Sequence, residues 1–226
     1  MNTDLPLRAE LHCHTYHSHD CRMRPERMIR NCQQRGINVL AVTDHNEFNG
    51  ALEVAAAAPE GFTVIPAEEI MTSQGEIIGY FLSHHIPRGL SPEETAQRIR
   101  AQGGVVNVPH PFDTLRNGRL TTPALDRLVS LGLIDMIEGF NARMTRPEDN
   151  DHALAYAREH DLPVTGGSDA HSYGELATAY TALPRFDGPR DFVHAVREGL
   201  IGGGLSPWPV HLVSTWAKVA RNVRLT

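Results

Sequence analysis

Histidine is concentrated in one short segment near the start of the chain. The stretch "ELHCHTYHSHD", residues 10–20, contains four of the thirteen histidines and ends in an aspartate. His12 and His14 are two residues apart, so in an extended chain both side chains point to the same side. Paired imidazoles followed by a carboxylate are typical of metal sites with nitrogen and oxygen ligands. The segment therefore predicts part of a metal site.

Further imidazoles and carboxylates stand at or beside the ends of the later apolar segments. They are Asp44, His45, Glu68, Glu69, Glu76, His84, His110, Glu138, Asp169 and His171, together with the side-chain amide of Asn141. The ends of parallel strands in a barrel converge on one rim, so we expect these side chains to gather there. Burying so many ionisable groups without a metal or a charge partner would be strongly unfavourable. The pattern therefore predicts a metal cluster.

The ligand types restrict the metal and the reaction. Histidine nitrogens and carboxylate oxygens without a cysteine pair suit zinc, manganese or iron. So many ligands exceed what one ion can take, so we predict about two or three divalent ions that share bridging carboxylates. Such a cluster generates hydroxide near neutral pH and binds the oxygens of an in-line displacement. Hydrolysis of a phosphate ester is the reaction that most needs both.

The elements that position these residues are short apolar strands that alternate with amphipathic helices. A helix is predicted from Pro25 to Arg35, and another begins at Ser91, with Glu94 three residues later as in a capping box. About seven such units favour a parallel sheet closed into a small barrel with helices outside it. No GxGxxG or GxxxxGK[ST] motif follows a strand, so the phosphate-binding loops of nucleotide-binding folds are absent.

Composition indicates one domain over residues 1–226, since no repeat or linker interrupts the chain. No run of about 18 apolar residues predicts a membrane span, and the first residues lack the features of a signal peptide. Cys13, Cys21 and Cys32 are odd in number and crowded at one end, which fits a reducing cytoplasm. The net charge of -6 disfavours binding of long nucleic acid, while a small anionic substrate remains compatible with it.

Five motifs in fixed order resemble a known family. They are "LHCHT", "VTDHN", "PAEEI", "PHPF" and "GGSDAH", and together they resemble the polymerase and histidinol phosphatase (PHP) domain, a superfamily of metal-dependent phosphoesterases. The resemblance covers about residues 9–182, and a helical tail is predicted over 190–226. It implies an α/β fold, a distorted (β/α)7 TIM-like barrel of the PHP type, with three metals that are usually manganese, iron or zinc.

The resemblance also implies how the ligands are shared among the ions. The first ion would be held by His12, His14, Glu69 and Asp169. Glu69 would bridge to a second ion, which His110 would bind. The third ion would be held by Asp20, His45 and His171. Asp44 would orient His45 and its loop rather than bind a metal itself.

The chain departs from the family pattern at three places. The aspartate that usually follows the His-x-His pair would fall at His19; we favour its neighbour Asp20 as the ligand, with His19 as the alternative. Many relatives have a histidine where this chain has Glu76, a change that keeps a ligand but makes the site more anionic. Relatives that act on nucleotides often carry a domain after the fifth strand, whereas this chain has only residues 112–120, which leaves the substrate open.

Three residues are the predicted catalytic groups. Arg143 follows the sixth strand, and its planar guanidinium suits a phosphate; Arg116 and Arg119 are weaker candidates for the same contact. In the mechanism we expect, a metal-bridging hydroxide attacks phosphorus and Arg143 stabilises charge on the equatorial oxygens. His110 or His171 would assist the leaving oxygen.

The predicted function is therefore hydrolysis of a small phosphate mono- or diester, for example a nucleotide or histidinol phosphate. One alternative is an amidohydrolase-type enzyme, but many of these bridge their metals with a modified lysine, and the single lysine here, Lys218, lies outside every strand end. A second alternative is a non-catalytic PHP module. The apolar stripe around Trp208 and Trp216 predicts a packing helix and is compatible with a homo-oligomer.

Overall fold

The computed structural model describes residues 6–207. Residues 1–5 and 208–226 lie outside the described residues, and with them Trp208, Trp216, Lys218 and the second half of the predicted tail. No helix in the described part is both long enough and apolar enough to cross a membrane.

Strands and helices alternate along most of the described chain. The strands are β1 (Leu7–Glu10), β2 (Val39–Val42), β3 (Thr63–Thr72), β4 (Gly75–Tyr80), β5 (Val105–Val108), β6 (Met136–Asn141), β7 (Val164–Gly167), β8 (Ala179–Leu183) and β9 (Leu200–Gly203). The helices are α1 (Pro25–Gln34), α2 (Asn49–Ala57), α3 (Pro92–Ala101), α4 (Thr122–Ser130), α5 (Pro147–Glu159) and α6 (Gly188–Arg197). Of the predicted tail, the described part therefore contains most of α6 and all of β9.

All these strands form one sheet that nearly closes on itself. Its order is β7-β6-β5-β4-β3-β2-β1-β8-β9. Beyond the strand ends, the N–H of Asp169 donates to the carbonyl of His12 at 2.7 Å and the N–H of His14 donates to the carbonyl of Ala170 at 3.0 Å. The chain after β7 therefore runs beside the chain after β1, and the predicted distorted α/β barrel is confirmed.

The prediction of an all-parallel sheet is wrong for β4, β8 and β9. β4 is antiparallel to both β3 and β5, because the two residues that separate it from β3 are too few for a parallel crossover. β8 is antiparallel to β1 and to β9. The sequence analysis did not predict β8 and β9, since the segments "AYTAL" and "LIGG" are short and contain few β-branched residues.

Apolar side chains pack on both faces of the sheet. Leu40 and Val42 of β2 belong to a buried cluster that includes Met28 of α1, while Val39 and Ala41 point the other way into a second cluster. This alternation follows from the period of two along a strand. It explains why β2 is a continuous apolar run.

Two local features bear on the stability and shape of the barrel. The hydroxyl of Ser91 accepts the N–H of Glu94 at 3.1 Å, so the predicted cap of α3 is confirmed. Inside the barrel, the hydroxyl of Tyr80 donates to the carbonyl of Leu11 at 2.9 Å and lies 3.3 Å from the amide nitrogen of Asn107. Tyr80 is fully buried, so it fills the interior next to the strand end that carries His12.

Candidate metal centre

The predicted ligands meet in one cluster at the rim of the sheet. They are His12, His14, Asp20, His45, Glu69, Glu76, His110, Asp169 and His171, and all but His45, which is partly exposed, are buried. Among the described residues, four sets of three place one potential ligand atom each within 4.8 Å of the other two. The structure therefore brings together residues that are up to about 160 positions apart along the chain.

The His-x-His pair contacts two acids. Nε2 of His12 lies 3.5 Å from Oε1 of Glu69 and 3.7 Å from Oδ1 of Asp169. Nε2 of His14 lies 3.3 Å from the same Asp169 oxygen and 3.7 Å from Oε2 of Glu69. These four side chains are the set that the resemblance assigns to the first ion, and each histidine lies within 3.7 Å of both acids.

Glu69 lies between two parts of the cluster. Its Oε1 is 2.9 Å from Nε2 of His110, and its Oε2 is 2.8 Å from Nδ1 of His45. One carboxylate thus faces a different histidine with each oxygen, which is the geometry of a bridging ligand.

Glu76 reaches the same rim because β4 runs in the reverse direction. Its two oxygens lie 3.6 Å from Nδ1 of His45 and 3.7 Å from Nε2 of His110. As the second residue of an antiparallel strand, it stands beside the last residues of the parallel ones. His84, which follows β4, is exposed and pairs with Ser83 instead.

The structure distinguishes Asp20 from His19 as the candidate ligand that follows the His-x-His pair. Oδ2 of Asp20 is 3.4 Å from Nε2 of His171 and 3.7 Å from Nε2 of His45, and the side chain is buried. The side chain of His19 is 61% exposed. The geometry therefore favours Asp20 as the ligand.

Two predicted ligands stand in left-handed backbone conformations. His110 has φ of 31° and Asp169 has φ of 53°, and such backbones cost a non-glycine residue about 1–3 kcal/mol. The N–H of His110 donates to Oε2 of Glu138 at 2.8 Å, and the N–H of Asp169 is held by the carbonyl of His12 at 2.7 Å. Strain of this kind often marks functional sites, and here it occurs at residues in the cluster.

Acidic residues behind the cluster orient its histidines. Oε1 of Glu138 lies 3.0 Å from Nδ1 of His12, the carboxylate–histidine arrangement found around metal ligands. Asp44 accepts hydrogen bonds from the backbone and hydroxyl of Thr15, both at 2.6 Å, and from the hydroxyl of Ser18 at 2.7 Å. Ser18 in turn accepts the N–H of His45 at 3.0 Å. Asp44 thus supports the loop of His45, as predicted.

Several buried polar atoms in the cluster have no hydrogen-bond partner in the described structure. They include Nε2 of His12 and Oε2 of Glu76. A buried polar atom left unpaired costs about 1–3 kcal/mol. Nitrogen and oxygen atoms that converge without hydrogen bonds are the donor set that zinc, manganese or iron takes, so the residues present fit divalent ions.

The charges of the cluster are strongly coupled. Burial and the nearby His171 and His45 hold the pKa of His14 well below its usual value. Burial alone would raise the pKa of Asp169, but Arg116 and His12 outweigh it and hold this pKa well below the ordinary range. Neutral imidazole and ionised carboxylate are the forms that bind a metal. The environment therefore favours the metal-binding form of His14 and Asp169, whereas the surrounding carboxylates outweigh burial and raise the pKa of His12 and His45.

Arg143 is buried against the cluster. Its Nη1 contacts Nδ1 of His171 and lies 3.4 Å from the carbonyl of Asp169, and its Nε is 3.5 Å from Oε1 of Glu175. Glu175, which the sequence analysis did not identify, also accepts the N–H of His171 at 3.3 Å and the hydroxyl of Ser172 at 2.7 Å. Glu175 does not directly follow an apolar strand, so the pattern that predicted the other site residues does not include it.

Glu10 is a second residue that the sequence analysis missed. Its carboxylate accepts the N–H groups of His12 at 3.2 Å, Ser168 at 3.0 Å and Ala177 at 2.9 Å. It is fully buried, and burial raises its pKa to about 7. Glu10 joins the chain after β1 to the chain after β7, and a charged residue inside the apolar run "RAELHCH" was the available signal.

A cavity of about 880 Å³ opens above the cluster. Asp20, His45 and His171 face it from the cluster, and Arg88, Arg116 and Arg143 line it. A volume in this range suits a small molecule. The arginines supply positive charge beside an otherwise acidic cluster, which suits an anionic ligand.

One family model and two curated proteins match this chain. The family model described as PHP-associated, PHP_C, matches residues 147–201. The uncharacterized protein MJ1587 of Methanocaldococcus jannaschii is 40% identical over 148 residues, which cover 60% of this chain and 82% of MJ1587. A second uncharacterized protein of that organism, MJ0417, is 32% identical over 200 residues, which cover 84% of this chain and 79% of MJ0417.

A solved structure has the same fold. It is a two-domain protein from Bacteroides vulgatus, described as containing a predicted PHP-like metal-dependent phosphoesterase. It superimposes with a TM-score of 0.69 at 16% sequence identity, over 93% of this chain and 69% of that one. The chain belongs to the same family as MJ1587 and MJ0417, and the match to the PHP-associated model identifies that family as PHP.

Proposed function

We propose that this protein is a metal-dependent phosphoesterase that hydrolyses a small phosphate mono- or diester. The observation that carries the proposal is the buried cluster of histidines and acids, with unpartnered ligand atoms, directly below a cavity lined by arginines. A nucleotide or histidinol phosphate is an example of a substrate in this class.

About two or three divalent ions would be held by the nine residues of the cluster. Zinc, manganese or iron bound there supplies a water molecule of lowered pKa and charge stabilisation for phosphate oxygens. His12, His14, Glu69 and Asp169 form one set. His110 joins this set through Glu69, and Asp20, His45 and His171 lie together on the cavity side.

The chain's own residues would bind the substrate and move the proton. Arg143 faces the cavity with a planar guanidinium that Glu175 and His171 keep in place, so it is suited to hold the equatorial oxygens of the phosphate. Of the two histidines predicted to assist the leaving oxygen, His171 lines the cavity, whereas His110 is fully buried. If His171 is not committed to a metal ion, this difference favours it as the group that reaches the leaving oxygen.

The substrate would be small and the setting cytoplasmic. The segment after β5 is short, so the cavity has no domain over it from that part of the chain. Three free, buried cysteines fit a reducing compartment, and the net charge of -6 disfavours long nucleic acid as a partner.

A homo-oligomer formed through the predicted tail remains a prediction. No lysine occurs in residues 6–207, so the described cluster offers none for an amidohydrolase-type bridge.

The test is a screen of the purified protein against phosphate esters. Protein reconstituted with manganese is assayed with p-nitrophenyl phosphate, bis-p-nitrophenyl phosphate, histidinol phosphate and mononucleotides, beside a lactone and a cyclic amide. We expect hydrolysis of at least one phosphate ester, abolished by a chelator and by Asp169→Asn. Turnover of the lactone or amide with no phosphate ester cleaved would contradict the proposal, and so would a fully loaded protein that hydrolyses nothing.

A further inference from the structure

Part of the connection between β5 and α4 lies after His110 and contacts two acids of the cluster without contributing a ligand itself. This loop, from Asp113 to Gly118, touches Asp169 on one side and Glu76 on the other. The two acids come from distant parts of the chain, and the loop links them. It is therefore placed to affect both carboxylates at once.

Arg116 binds one carboxylate oxygen of Asp169 and leaves the other facing the histidines of the cluster. Its Nη2 donates to Oδ2 of Asp169 at 2.5 Å, and the side-chain amide of Asn141 donates to the same oxygen at 3.3 Å. Oδ1 is left facing Nε2 of His14 at 3.3 Å and Nε2 of His12 at 3.7 Å. A carboxylate held in this way presents one fixed oxygen to a metal.

Arg116 is itself fixed by the loop. Its Nε lies 3.5 Å from Oδ2 of Asp113, which is buried. The N–H of Asp113 donates to the carbonyl of His110 at 3.1 Å, and the N–H of Arg116 donates to the carbonyl of Asp113 at 3.3 Å. The guanidinium is therefore tied to the strand end that carries His110, rather than extended freely into solvent.

Gly118 makes room for Glu76. Its carbonyl accepts the N–H of Glu76 at 2.8 Å. A Cβ added at Gly118 would lie 2.2 Å from Oε2 of Glu76 and 2.5 Å from its carboxyl carbon. A larger residue at position 118 would therefore displace the Glu76 carboxylate from its place beside His45 and His110.

We propose that the loop from Asp113 to Gly118 is a positioning element of the metal centre. Arg116 sets the orientation of Asp169 and Gly118 sets that of Glu76, so the loop determines how tightly divalent ions bind. The proposal rests on the metal centre of the proposed function. In this proposal Arg116 orients the predicted metal ligand Asp169, and it also lines the cavity.

The test is the affinity of metal-stripped protein for Mn²⁺ and Zn²⁺, measured by titration against a competing chelator. We expect Arg116→Gln to weaken binding about 10–100-fold, the usual effect of removing a partner of a metal ligand. Arg116→Lys keeps a donor and the charge and should recover part of this loss. Gly118→Ala should also weaken binding. The matched control is Arg98→Gln, which removes the same charge from an exposed side chain on α3 and should leave affinity unchanged.

Two results would overturn the proposal. If Arg116 acted only as a positive charge that repels cations, Arg116→Gln would tighten metal binding. If the loop were only a cavity wall, Arg116→Gln and Gly118→Ala would bind metal like the unmodified protein. Circular dichroism of each variant checks that the fold is retained, and Arg116→Lys carries the test if the glutamine variant does not fold. Because affinity is measured without substrate, a protein that binds metal but cleaves no phosphate ester would contradict the proposed function alone.

Discussion

At the scale of single residues, ligand type and spacing were the strongest signals in the sequence. His12, His14 and Asp169 are recognisable because imidazole or carboxylate follows an apolar strand directly. Glu10 and Glu175 were missed for different reasons: Glu10 lies inside the predicted strand segment "RAELHCH", and Glu175 follows no strand directly. Their roles depend on backbone N–H groups that come close only in the folded barrel, which no local pattern reveals.

The choice between Asp20 and His19 makes a prediction at this scale. Asp20→Ala should reduce the number of bound divalent ions by about one, because its carboxylate faces His45 and His171. His19→Ala is the matched control, since the side chain of His19 is largely exposed. Metal content of the two purified variants, measured by inductively coupled plasma mass spectrometry, distinguishes them. Loss of an ion from the His19 variant alone would show that the assignment is wrong.

The cysteines make a second prediction. Burial raises the pKa of Cys32, and also that of Cys21 and Cys13, so the thiolate that reacts is scarce in the folded protein. A thiol whose pKa is raised stays protonated as the pH rises through its ordinary value. We therefore expect little reaction with Ellman's reagent between about pH 7 and 9 in the native state. Unfolding in guanidinium chloride should expose all three thiols, and rapid reaction before unfolding would contradict the buried positions.

At the scale of elements, hydrophobic periodicity predicted where most helices and strands lie but not how the strands run. Pro25 begins α1 as expected, and Ser91 stands directly before α3 as the predicted cap. The direction of β4 was wrong because strand direction is set by the length of a connection, here Ser73 and Gln74, rather than by the strand's own residues. The wrong strand direction did not affect the prediction that Glu76 lies at the rim. Because β4 is antiparallel, its first residues, rather than its last, lie beside the ends of the parallel strands.

The cap of α3 gives a prediction for an element. Ser91→Ala should lower the free energy of unfolding by about 1 kcal/mol, because the Ser91 hydroxyl accepts the N–H of Glu94. Thr121→Ala is the matched control, since Thr121 precedes α4 but makes no side-chain cap hydrogen bond. Urea denaturation followed by circular dichroism measures both. Equal losses in the two variants would contradict the assignment of the cap.

At the scale of the whole molecule, the near-closure of the sheet brings the predicted ligands after β1 and β7 together. Glu10 joins the two ends of the barrel through Ser168 and Ala177, and β8 pairs with β1 beside that closure. The sequence predicted a barrel from the number of strand–helix units and from the family motifs. It did not predict that β8 and β9 complete the sheet, because their weak strand segments depend on pairing with residues far away in the chain.

Metal binding should stabilise the whole fold. Ligands from several strands share the cluster, so ions bound there join parts of the barrel that would separate on unfolding. A ligand that binds only the folded state stabilises it by about 2.7 kcal/mol at a concentration 100 times its Kd. We expect the Tm of metal-stripped protein to rise when Mn²⁺ or Zn²⁺ is added, as measured by differential scanning calorimetry. Magnesium at equal concentration is the control, because it prefers all-oxygen sites.

The central claim is that side chains from separate strand ends share divalent transition metals. The most direct measurement is anomalous diffraction from crystals of the manganese- or zinc-loaded protein, with data collected on both sides of the metal's absorption edge. The account predicts two or three anomalous peaks, each about 2.0–2.6 Å from nitrogen or oxygen atoms of the predicted ligands. No peak at the cluster after soaking in either metal would contradict it.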